Sequence, residues 1–219
     1  MRKLFMLGAV LAAVALPTAS HAQFTLGLRV GYAIASGDAY SEGGQSAKMS
    51  DGVKSQVPIQ LDAGYRLTPE FTLGAYFSYG FGQVGGSFKD TCDAIGLDCS
   101  AKGYRLGLQG TYAFTKVSPS FVPWVGAGTG WEWASATAEG FGLKQEDSFS
   151  GWEFLNLQVG GDWKLSPQFA LGPYVMYSLG QYSSGTMKFT GDPDINVFDT
   201  ADKEMHSWFS FGVRGKFDL

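Results

Sequence analysis

The chain has 219 residues, 16 Lys+Arg against 20 Asp+Glu, and a formal net charge of −4. An acidic chain of one-domain length lacks the basic surface that nucleic acid requires, so no nucleic-acid partner is expected. Glycine is abundant at 31 residues and aromatics reach 15%, and no coiled-coil, low-complexity or charge-block segment breaks the pattern.

Residues 1–22 have the form of a secretory signal peptide. Arg2 and Lys3 supply the positive start, residues 4–16 an apolar run ended by Pro17, and Ser20-His21-Ala22 the small residues of a cleavage site. The run is too short for a membrane helix, which needs about 20 residues. The mature domain is taken as residues 23–219, beginning at Gln23. Without Arg2 and Lys3 the balance is 14 basic to 20 acidic residues, about −6.

A dyad alternation then recurs eight times. Successive strand side chains point to opposite faces, so alternation of oily with small or charged residues predicts strands. The first covers residues 24–35, with Phe24, Leu26, Leu28, Val30, Tyr32 and Ile34 against Thr25, Gly27, Arg29, Gly31 and Ala33. The second, 56–67, sets Val57, Ile59, Leu61 and Tyr65 against Gln60, Asp62, Gly64 and Arg66. The third, 71–83, sets Phe71, Leu73, Phe77, Tyr79 and Phe81 against Tyr76, Ser78 and glycines. The fourth, 103–115, opposes Tyr104, Leu106 and Leu108 to Arg105, Gly107 and Gln109. The fifth, 121–133, turns Val125, Ala127, Trp131 and Trp133 one way and Trp124, Gly126, Gly128, Gly130 and Glu132 the other. The sixth, 154–165, opposes Leu155, Leu157, Val159 and Trp163 to Asn156, Gln158, Asp162 and Lys164. The seventh, 169–180, opposes Leu171, Val175 and Tyr177 to Tyr174, Met176 and Ser178. The last runs to the end: Phe209, Phe211, Val213 and Phe217 against Ser210, Gly212, Arg214 and Lys216.

Each segment has the length of a tilted membrane-crossing strand. The connections alternate. Three are tight and carry Pro69, Pro119 and Pro167; four are long, at about 36–55, 84–102, 134–151 and 181–206. Short periplasmic turns and long outer loops are the asymmetry of outer-membrane barrels. A soluble barrel of the lipocalin type would have an apolar interior and a polar exterior. Here charge shares one face with the glycines, which relieve crowding in a narrow interior, so that face is the inner one. The fold class is all-β: an eight-stranded antiparallel up-and-down transmembrane β-barrel. Pro58, Pro123 and Pro173 each remove a ladder hydrogen bond, but each lies near a strand end, where the loss is best tolerated.

A barrel of eight strands is just wide enough for side chains to fill it. The inward set holds the charges Arg29, Asp62, Arg66, Arg105, Glu132, Asp162, Lys164, Arg214 and Lys216, with Trp124, Tyr76, Tyr174 and Met176. Buried charges must be paired. A plug of ion pairs and aromatics is the favoured reading, a narrow selective pore the alternative. The hairpin around Ser118-Pro119 predicts Arg105 opposite Glu132 on the inward face.

Cys92 and Cys99 lie in the second long loop, and an even cysteine count in a secreted chain predicts a disulfide. The Asp192-Pro-Asp194-Ile-Asn196 run of the fourth loop starts like a calcium loop. It has Val197 where glycine belongs and Lys203 where the bidentate Glu belongs, so a solvated acidic loop is expected. A lipid A-modifying enzyme would need His206, the one histidine after the signal, together with Ser207. Adjacent strand residues face opposite ways; Glu204 shares the His206 face but no nucleophile does. No catalytic residue, metal or cofactor is expected.

The Pro123-Trp-Val-Gly-Ala-Gly-Thr-Gly130 strand, the strand–Ser-Pro–strand hairpins and the aromatic last strand resemble the small eight-stranded outer-membrane barrels of Gram-negative bacteria, the opacity-type family. The resemblance covers nearly the whole mature chain. It implies an outer-membrane location and contact with outer-membrane lipid and lipopolysaccharide. It also implies delivery by periplasmic chaperones and the barrel-assembly machinery. Members commonly end in Phe; here Leu219 is last and Phe217 stands two residues before it. No cell-wall-binding domain is expected after the last strand. The functional expectation is a non-enzymatic barrel presenting four external loops to an unidentified partner, with a small passive channel as the alternative.

Overall fold

The computed structural model describes residues 24–191 and 193–219; the signal segment, Gln23 and Asp192 of the acidic loop lie outside the described residues. Eight strands close into a ring. They are β1 (Phe24–Glu42), β3 (Ser55–Arg66), β4 (Phe71–Gln83), β5 (Asp98–Ala113), β6 (Phe121–Gly140), β7 (Leu143–Lys164), β8 (Phe169–Phe189) and β11 (Met205–Asp218). Each pairs antiparallel with its neighbours around the ring, and β1 pairs with both β3 and β11 to seal it. At the seam Leu26 faces Phe217 and Ile34 faces Phe209, and the Leu219 N–H donates to the Phe24 carbonyl at 2.9 Å. Short strands β2 (Gln45–Lys48), β9 (Ile195–Asn196) and β10 (Asp202–Lys203) and the helices α1 (Met49–Gly52) and α2 (Gly86–Ile95) belong to the outer connections. No described helix is long and apolar enough to cross a membrane.

The two faces of each strand are sorted as the alternation requires. On β11, Phe209, Phe211, Val213 and Phe217 keep 45–49% of their surface exposed, whereas Ser210 is fully buried and Arg214 is 7% exposed. In water an apolar belt of this size would be a severe liability, at about 25 cal/mol per Å² left unburied. In hydrocarbon the same belt is solvated, and closure leaves no backbone edge unpaired. Outward aromatic pairs mark the two interfaces. Tyr79–Tyr104 and Trp131–Trp152 lie toward the outer side; Phe121–Trp163, Phe169–Phe217 and Phe24–Tyr65 lie at the periplasmic side. Such girdles sit at the level of lipid headgroups.

The three periplasmic turns share one device. A Ser or Thr hydroxyl accepts backbone N–H groups that the sheet cannot serve: Thr68 from Phe71 at 3.0 Å, Ser166 from Phe169 at 3.0 Å, Ser118 from Ser120 at 3.3 Å.

The outer side differs from expectation. The third long connection, expected as a loop over 134–151, is strand almost throughout, with only Phe141 and Gly142 at the tip, both at positive φ. β1 and β8 likewise run past residues 35 and 180, and β5 starts at Asp98 rather than 103. The second connection contains α2, not loop alone. Outside the lipid neither sheet face has to be oily, so the strands continue without the alternation that betrays them.

Cys92, on α2, is bonded to Cys99, on β5, with a Cα–Cα distance of 6.2 Å. Gly96 ends the helix in the left-handed region at φ 69°, which returns the chain toward β5. The bond constrains the unfolded loop by about 2–3 kcal/mol in the chain-entropy model. It lies outside the apolar belt, so the C92S/C99S double variant should still insert. We expect an unchanged heat-dependent gel shift with faster protease cleavage between residues 84 and 102; loss of the folded band would refute it.

Candidate functional site

The lumen is filled in two tiers. In the lower tier Arg29 donates to Asp62 at 2.6 Å and to Gln158 at 2.7 Å, and Asp62 also accepts from Gln60 at 2.8 Å and Gln109 at 2.9 Å. Asp162 accepts from the Trp124 indole at 3.1 Å and is paired with Arg214. The Arg214 guanidinium lies 3.6 Å over the Trp124 ring, and Arg29 lies 5.4 Å from the rings of Trp124 and Tyr174. These contacts supply what a buried cation needs, a carboxylate and aromatic faces.

The upper tier centres on Arg105. It stands opposite Glu132 in the β5–β6 register with a 4.0 Å ion pair, reaches Glu153 at 3.5 Å and Ser178 at 3.3 Å, and lies 5.3 Å over the Trp208 ring. Glu153 also accepts from the Tyr76 hydroxyl and from Asn156 at 3.3 Å. Glu132 is held by His206, whose ring stacks on Tyr182 at 4.2 Å. Glycine makes this crowding possible. A Cβ at Gly107 or at Gly130 would stand 2.5 Å from the Tyr76 hydroxyl.

Above the plug the lumen becomes an apolar collar of Ala33, Ala35, Val53, Tyr182 and Trp208. Beyond the collar a vestibule of about 430 Å³ opens among the outer extensions, walled by α1, α2 and the ends of β1, β6, β7 and β8. At the opposite end a polar cavity of about 180 Å³ opens to the periplasm beside Asp62, Asp162 and Arg214. A void of about 10 Å³ beside Arg105 lies between the two.

Of the charges expected inside, Arg29, Asp62, Arg105, Glu132, Asp162 and Arg214 are in these two tiers. Arg66 and Lys216 both pair with Asp218 at the periplasmic rim, a pairing the alternation did not show. Lys164, the last residue of β7, lines the periplasmic cavity at that rim and is exposed there, where the sheet ends and water is available. Two buried groups lay outside the expected set. Glu153, 1% exposed, faces inward because a bulge at Phe154 and Leu155 shifts the alternation by one residue. The Thr129 hydroxyl donates to the Glu153 carbonyl at 2.8 Å and fixes that bulge. The adjacent apolar pair Phe154-Leu155 is the sequence signal for it. His206 continues the inward even positions of β11 beyond Trp208, into a segment expected as loop. Ser207 faces the other way, and Glu204 accepts from Ser41 at 2.7 Å. In the acidic loop Asp194 pairs with Lys188 at 2.7 Å and Asn196 caps the following turn. Among the described residues no group of three or more His, Cys, Asp or Glu is arranged to hold a metal ion.

A sealed ring of eight antiparallel strands, oily outside, charged inside and girdled by aromatics, is a transmembrane β-barrel of the outer-membrane kind. Residues 6–191 match the family described as outer membrane protein beta-barrel domain, and the chain belongs to that family. No curated protein matches its sequence. Among solved structures it is similar to OprG from Pseudomonas aeruginosa, at 15% identity and TM-score 0.51, covering 91% of this chain and 98% of that one. It is also similar to AlkL, solved in DMPC lipid bilayers, at 16% identity and TM-score 0.51 over 93% and 95% of the two chains. A major outer membrane protein from Thermus thermophilus gives 11% identity and TM-score 0.54 over 86% and 98%. At these identities the likeness is one of fold. The chain is therefore an integral outer-membrane protein in contact with that membrane's lipid.

Proposed function

We propose that this protein is a non-enzymatic barrel with a closed lumen whose work is done by its outer extensions. The carrying observation is the two-tier plug. The pairs Arg29–Asp62 and Arg214–Asp162 and the cluster of Arg105 with Glu132 and Glu153 fill the lumen, and each of these side chains is at most about an eighth exposed. Opening a path would separate buried charges, which is costly. The extensions present a platform of four connections for surface interaction, with lipopolysaccharide beside them. The same reading assigns no catalytic role to His206, which is buried against Glu132 with Ser207 on the opposite face. Reconstitution into planar bilayers should give no discrete conductance steps; regular openings in the wild-type protein would overturn the reading. Mass spectrometry of lipid A with and without the protein should show identical acylation.

A second reading, a passive route for small or hydrophobic solutes, draws on the vestibule of about 430 Å³ and its apolar collar. It requires the Arg105 tier to move aside. Uptake of a hydrophobic dye into liposomes bearing the protein separates the two readings, since the closed barrel predicts the protein-free rate.

A further inference from the structure

The vestibule has a defined chemistry on its walls. Its volume of about 430 Å³ lies within the range of small-molecule sites, about 300–1,000 Å³. Met49, Val53 and Cys92 give an apolar lining and are 3–6% exposed. One wall is aromatic: Tyr40 stacks on Phe149 at 5.8 Å, and Phe149 packs on Tyr182 at 5.5 Å. Two polar groups interrupt it. Asp147 receives the Gln145 amide on both carboxylate oxygens at 3.2 Å, and among the described residues no cation is paired with it. Tyr182 is 1% exposed, lines the floor, and its hydroxyl has no hydrogen-bond partner. The remaining lining charges, Lys48 just before α1 and Asp51 within it, offset each other in sum.

We infer that the vestibule is a binding site for a small organic cation with an apolar body, its ammonium group placed between Asp147 and the Tyr40–Phe149 wall. An aromatic face attracts a cation through its quadrupole, and a carboxylate nearby adds a charge-assisted hydrogen bond. An anion would meet an unpaired carboxylate and the negative faces of rings. The local field has the sign this requires. The Tyr40 hydroxyl is raised first by burial and then by the negative charges of Asp147 and Glu42. The Tyr182 hydroxyl, at the floor, would meet any polar atom carried at the deep end of the ligand. This site is independent of whether the lumen below conducts, because the collar and the Arg105 tier lie beneath it.

Three probes that share a body and differ in head test the inference: 4-phenylbutylamine, 4-phenylbutanol and 4-phenylbutyrate. The protein is refolded in lipid nanodiscs with ¹³C-methyl methionine. Met49 and Met187 both line the vestibule, so their methyl signals report occupancy there. The amine should shift both signals saturably, with an affinity at least ten times that of the butyrate. Asp147→Asn should shrink the amine's advantage over the alcohol to less than three-fold while leaving the alcohol's affinity unchanged. Equal binding of amine and butyrate by the wild-type protein would overturn the inference, whatever the variant does. So would an undiminished amine preference in a D147N protein that still shows the folded gel band, or shifts confined to methionines outside the vestibule.

Discussion

Replacing Arg105 with Met should lower the free energy of unfolding by about 3–5 kcal/mol, the cost of leaving buried carboxylates without their cation. Arg105 answers both Glu132 and Glu153, at 4.0 and 3.5 Å, and all three side chains are at most 6% exposed. Methionine keeps the volume and the contact with Trp208 but supplies no charge. His206 touches Glu132, but among the described residues the Glu153 carboxylate is held by Tyr76, Asn156 and Arg105, of which Arg105 alone is a cation. Arg105→Lys should lose roughly half as much. It restores the charge but not the planar fork that reaches both carboxylates and stacks on an indole. Urea titration of protein folded into lipid vesicles, followed by tryptophan fluorescence, measures both. Lys89→Met serves as the comparison, because the Lys89–Asp93 pair is more than half exposed and should contribute nothing measurable. A loss below about 1 kcal/mol for R105M would mean that the upper tier is not the structural plug described.

Gly160→Val should be poorly tolerated in the lower lumen, destabilising by about 3 kcal/mol or abolishing the folded band. A Cβ at this position would stand 2.6 Å from the Pro173 carbonyl oxygen and no farther from the Trp124 ring. Neither can retreat. Trp124 is 1% exposed, tied to Asp162 and covered by Arg214; the carbonyl belongs to the neighbouring strand. Gly52→Ala, where an added carbon meets nothing within 4 Å, should leave folding unchanged. The heat-dependent gel shift scores both. A fully folded G160V protein with wild-type stability would show that the lower tier is loosely packed.

The parts of this molecule that were legible in its sequence are those that meet lipid. From Phe24 to Ile34, from Phe71 to Phe81 and from Phe209 to Phe217, one face must be oily and the other must fit a crowded lumen, so the period of two is enforced at every residue. The segment containing Ala134, Ser135, Ala136 and Thr137 is just as regular a strand, but it stands above the bilayer, where small and polar residues serve both faces. Glu153 was hidden for a different reason. Period counting assumes an unbroken alternation, and the bulge at Phe154 and Leu155 turns an odd-numbered residue inward. His206 lay beyond the last aromatic of its strand, where no oily partner announces the next position. The vestibule could not be read at all, because Met49, Cys92, Asp147 and Tyr182 come from four connections that only the closed ring brings together.

The seam between β1 and β11 has a kinetic consequence. The first and last strands of the ring are neighbours, so the ring's closing pairing has the largest sequence separation in the barrel and the largest loop-closure entropy to overcome. Every shorter nascent chain carries two open edges, and no partial barrel is a resting place in lipid. Closure is also checked by register. Arg29 meets Arg214, Gly31 meets Gly212 and Ala33 meets Ser210 on the inner face. A slip of one residue would turn Arg214 toward hydrocarbon and Phe211 into the lumen, so a misaligned seam cannot anneal in place and must reopen before it can close correctly.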